Sequence, residues 1–68
     1  MKLFDVVQLK VAREGFPVGT VGTIVQLHAP QTPPVYEVEF ANARGETLAV
    51  VAVEEPSLEL AVAHTPTT

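Results

Sequence analysis

Tyr36-Glu37-Val38-Glu39-Phe40 alternates apolar and acidic side chains without a break. Side chains of a β-strand point to opposite faces at every step, so this run reads as a half-buried strand. Tyr36, Val38 and Phe40 are expected in the core, with Glu37 and Glu39 toward water. A slip of one residue would bury two carboxylates at a cost of several kcal/mol, which pins the register. The rest of the fold can be read outward from this strand.

Downstream, Asn42-Ala43-Arg44-Gly45 is a turn, and Gly45 is its natural left-handed position. Thr47–Val53 returns as the next strand. Pro56 breaks that strand, so Glu55-Pro56-Ser57 should form a tight turn or one turn of 3₁₀ helix. Leu58–Val62 reads as a short last strand with Leu58, Leu60 and Val62 inward. The polar segment 64–68 is expected to be a disordered tail, which leaves 1–63 as the domain.

Upstream, Ala29–Pro34 is a loop stiffened by three prolines. Before it runs a strand over about Gly22–His28, in which Gly22 permits a bulge or a close backbone crossing. Ala12–Thr20 collects Gly15, Pro17 and Gly19 and reads as a long loop. Its Phe16 and Val18 are apolar, so it should fold back over one end of the domain. Asp5–Val11 is the first strand, with Val7, Leu9 and Val11 on one face. Five short strands, a long first loop, a central hairpin and a one-turn break before the last strand predict an all-β, five-stranded SH3-like barrel. An OB-fold, the main competitor, uses longer strands and an inserted helix for which 68 residues leave no room.

Four blocks carry a family resemblance: Met1-Lys2-Leu3-Phe4-Asp5-Val6-Val7, Gly19-Thr20-Val21-Gly22-Thr23-Ile24-Val25, Tyr36-Glu37-Val38-Glu39-Phe40, and Gly45-Glu46-Thr47-Leu48-Ala49-Val50-Val51. Together they resemble a bacterial family designated domain of unknown function 4926, over Met1 to about Leu60. The Ala29–Pro34 loop and the Thr-rich tail depart from its pattern. The resemblance implies a small stand-alone protein encoded beside other short reading frames, and it implies no activity. The Val21–Val25 block is also similar to the second strand of small photosynthetic barrels, which implies a docking role.

Composition narrows the function classes. Eight acidic residues against four basic ones give a formal charge of −4, and Lys2, Lys10, Arg13 and Arg44 are scattered. A nucleic-acid groove needs clustered cations to displace counterions, so a nucleic-acid-binding barrel is disfavoured. The chain has no cysteine, which excludes disulfides and thiolate metal sites. The N-terminus lacks the apolar run of a signal peptide, and no stretch approaches the ~20 apolar residues that cross a bilayer. The cytoplasm is the expected location, with no membrane partner.

No catalytic, cofactor or metal site is expected either. Glu37 and Glu39 lie roughly 7 Å apart on one face, yet a glycosidase pair also needs an enclosing cleft. His28 and His64 lack the further converging ligands that a metal requires. Ser57 and the threonines sit in no triad context, and Gly15, Gly19 and Gly22 are turn glycines with no Lys-Ser/Thr after them. Pro30-Gln31-Thr32-Pro33 is a stiff loop, and with no Trp and one Tyr the chain is poorly equipped to bind proline-rich peptides.

The anomaly is Leu48-Ala49-Val50-Val51-Ala52-Val53, which is apolar on both faces where a one-sided strand should alternate. Parity groups Leu48 and Val50 with Glu46 and Glu54 on the outer face, and Thr47, Ala49, Val51 and Val53 opposite. Either a bulge or the last strand buries the surplus, or the face meets another chain. The reading is a non-enzymatic interaction module that docks on, and can restrain, a partner protein or a second copy of itself. The candidate contacts are Leu48, Val50, Glu37 and Glu39, with Arg13 and Phe16 from the first loop. An antitoxin or immunity-type inhibitor of a neighbouring toxin is the alternative of a different biological class. For the hairpin, Gly45 should have positive φ, and Gly45→Val should destabilise the domain by about 1 kcal/mol or more in a denaturant melt. An unchanged midpoint would mean that the turn is built another way.

Overall fold

The computed structural model describes residues 1–61 and forms five antiparallel strands in one sheet. They are β1 (Val6–Leu9), β2 (Val21–Leu27), β3 (Val35–Ala41), β4 (Thr47–Glu54) and β5 (Leu58–Leu60), and the sheet order is β4-β3-β2-β1-β5. A single 3₁₀ turn, Glu55–Ser57, separates β4 from β5, with Pro56 in its first positions where a missing N–H costs nothing. The all-β, five-stranded expectation holds. The tail 64–68, His64 and the inward Val62 lie outside the described residues.

β3 keeps its expected register. Tyr36, Val38 and Phe40 are buried with Val7, Leu9, Ile24, Val53 and Leu58 in one core. β2 lies against β3 at Gly22, where an added Cβ would come within 2.6 Å of Val38 Cγ1 and 2.9 Å of both the Glu39 carbonyl oxygen and Phe40 Cδ1. Gly22 therefore marks a close backbone approach, and the bulge in β2 falls between Ile24 and Gln26. Gly45 has φ +81°, as the hairpin turn requires. Asn42 completes that turn by accepting hydrogen bonds from the Arg44 and Glu46 amides at 2.9 and 3.0 Å.

Several expectations are corrected. β1 ends at Leu9 because the chain turns there, so Val11 is exposed rather than in the core. In the first loop Phe16 does fold back, stacking on Phe40 at 4.6 Å between ring centroids, whereas Val18 stays exposed. The loop reverses between Arg13 and Phe16 through two left-handed residues, Glu14 and Gly15. β5 stops at Leu60, which pairs with Val7 at the rim of the core and is exposed. A three-residue strand is too short to cover it.

Two tests follow from the packing. Gly22→Ala should cost about 2 kcal/mol or more in chemical denaturation, because one of the atoms it meets is a fixed carbonyl. A neutral result would mean that β2 and β3 can separate freely. The second test concerns Tyr36, whose hydroxyl donates to Glu55 Oε2 at 3.0 Å. Burial raises its pKa above 10.0, and the hydrogen bond and charge of Glu55 raise it further. The folded state thus holds this proton more tightly than the unfolded chain does. Its contribution to stability is full below about pH 10 and falls as pH rises toward the folded pKa. Tyr36→Phe should flatten the alkaline limb of a melting-temperature profile, and an unaltered limb would remove Tyr36 as its source.

Candidate docking surface

β3 and β4 pair along an unbroken ladder from Val35↔Glu54 to Phe40↔Ala49, after which the register shifts to Ala41↔Thr47. Directly paired residues share a face, so Val50 stands beside Glu39, and Ala52 beside Glu37, on the face away from the core. Val50 is 50% exposed and Ala52 is exposed as well. This is the outer-face apolar surplus that the two-sided pattern of β4 implies.

Leu48 behaves differently from its parity. It is the extra residue at the register shift, a β-bulge. Thr47 donates a hydrogen bond to Glu39 Oε2 at 2.5 Å and so shares the face of Val50. Leu48 and Ala49 lie between those two outward residues, which takes Leu48 out of the row. The bulge nevertheless does not bury it, and Leu48 remains 57% exposed. Leu48 and Val50 are thus both open to solvent, one at a bulge by the hairpin and the other on the sheet face.

Glu37 and Glu39 are half-buried rather than fully exposed, because β3 has a neighbour on each side. Each carboxylate is engaged: Glu37 contacts His28 Nε2, and Glu39 accepts from Thr47. Arg13 and Phe16 do not join these four. The Arg13 guanidinium donates to Ser57 Oγ at 2.9 Å and to Glu54 Oε1 at 3.2 Å, tying the first loop to the end of β4. Phe16 packs on Phe40, on the core side of the sheet. Both contacts hold the first loop in place.

One exposed side chain escaped the sequence reading. Phe4 is 72% exposed and sits at φ +69°, with its N–H donating to the Ile24 carbonyl at 2.7 Å. A left-handed aromatic is an outlier that costs on the order of 1 kcal/mol or more. The adjacent apolar pair Leu3-Phe4 ahead of the first strand was the available signal. Among the described residues no group of three or more His, Asp and Glu side chains is placed to hold a metal, and no helix is long and apolar enough to cross a membrane.

No curated protein and no solved structure matches the chain. The match to a family runs over residues 3–60, covering all five strands, and on it the chain belongs to the family described as Domain of unknown function (DUF4926).

Proposed function

We propose that this domain is a small SH3-like barrel acting as a non-enzymatic docking module for another protein. The strand order β4-β3-β2-β1-β5, the long first loop and the 3₁₀ turn before β5 support the barrel reading. The observation that carries the docking reading is the solvent exposure of Leu48 and Val50 on a strand with no charge between Glu46 and Glu54. Soluble domains usually interrupt such a surface with charge or cover it with another element. Glu37 and Glu39 stand beside Ala52 and Val50, and the chain carries a net charge of −4. That acidic rim favours a basic partner through electrostatic steering.

The test pairs stability with association. Leu48→Glu and Val50→Glu should each leave the melting temperature within about 3 °C of the parent, since each replaces an exposed side chain. Each should also abolish capture of the proteins that the parent retains from its source-cell lysate. Unfolding of either variant would assign that residue to the intramolecular core. Two folded variants that retain the same proteins would reject this surface as the docking site.

A further inference from the structure

Among the described residues β4 is the last strand of the sheet, and its outer backbone edge is distinct from the side-chain surface just described. The Glu55 N–H donates to the Pro34 carbonyl at 2.9 Å, and the His28 N–H to the Val35 carbonyl at 3.1 Å. These two bonds fix the phase of the ladders on either side of β3. Val35, Glu37 and Glu39 turn their backbone groups toward β2, whereas Tyr36, Val38 and Phe40 turn theirs toward β4. Their partners Val53, Val51 and Ala49 are therefore bonded to β3. Val50, Ala52 and Glu54 point their N–H and C=O groups away from the sheet, and all three are exposed. Among the described residues no backbone or side-chain group takes those donors and acceptors.

An open edge of this kind templates another strand. Proteins blunt it with Lys, Pro or an inward charge, and Ala49–Val53 has none of these. We infer that the β4 edge pairs with the β4 edge of a second copy of this chain, in an antiparallel continuation of the sheet. The two-fold axis passes beside Ala52, which lies opposite Ala52 of the other copy. Val50 then faces Glu54, so no like charges meet. Every outward N–H and C=O of Val50, Ala52 and Glu54 finds a complement, and Val51 lies opposite Val53, continuing the core face across the junction. The second copy is favoured over a basic strand from another protein because Glu54, the one charge in this register, is already paired with Arg13 of its own chain. The edge is self-complementary in shape and electrically quiet.

This inference shares β4 with the docking proposal but depends on backbone atoms, so the two can fail separately. Ala52→Pro removes an outward N–H and leaves the β3–β4 bonds and the side chains of Leu48 and Val50 in place. Molar mass measured by light scattering, on the full chain up to about 1 mM, should double for the parent and for Ala52→Ser. Ala52→Pro should stay folded by circular dichroism and remain a monomer. Should that variant unfold, hydrogen exchange on the parent decides: the amides of Val50, Ala52 and Glu54 should gain protection as concentration rises. A parent that stays monomeric, an Ala52→Pro dimer as tight as the parent, or no concentration-dependent protection would each overturn the edge pairing. None of these outcomes would touch the docking reading, which stands or falls with the Leu48→Glu and Val50→Glu variants.

Discussion

The absence of one side chain, at Gly22, sets the geometry on which the other contacts depend. With no Cβ there, β2 lies so close to β3 that an added Cβ would come within 2.6 Å of Val38 Cγ1 and 2.9 Å of the Glu39 carbonyl oxygen. That approach presses Val38 and Phe40 into the core, where Phe40 becomes the platform on which Phe16 stacks. β4 takes its register from the same strand, and its ladder slips where it passes Phe40. A core of eight buried apolar side chains leaves little redundancy, so a misplacement at this crossing would reach every strand.

A domain this small gains order by tying its loops down. The first loop is held at two points: Phe16 on the core and Arg13 on Glu54 and Ser57. The 3₁₀ turn is held by Tyr36 through Glu55. Surface ion pairs contribute little individually, but here the guanidinium also satisfies the buried Ser57 hydroxyl, which would otherwise lose its partner. These ties gather toward the core and the end of β4.

Much of this was legible in the chain because local rules act alone there. The strict alternation of Tyr36–Phe40, Gly45 in a short turn and Pro56 after a strand each have one cheap structural solution. What escaped had non-local causes. A hairpin bulge is among the alternatives for β4, but parity counting treats Leu48 and Val50 as equivalent, and no residue type announces that the extra residue falls between Thr47 and Val50. Arg13 reaches partners 41 and 44 positions away, so its clamp cannot be read from neighbours and it resembled a free loop cation. His28 meets Glu37 only because two strands pair. The exposure of Leu60 reflects how soon β5 ends rather than any failure of its periodicity.

The two ends of the sheet are unequal, and this bears on how far any assembly can grow. One end is the eight-residue β4; the other is the three-residue β5, carrying Glu59 in contact with Gln8. Joining two long ends about a two-fold axis is an isologous contact, which uses up both competent edges at once. The ends that remain are the two copies of the short β5, each carrying Glu59. A polymer needs two different competent ends on each unit. With only one, edge pairing of the kind inferred above would end at a closed pair, with the uncharged run Leu48–Val53 at its centre.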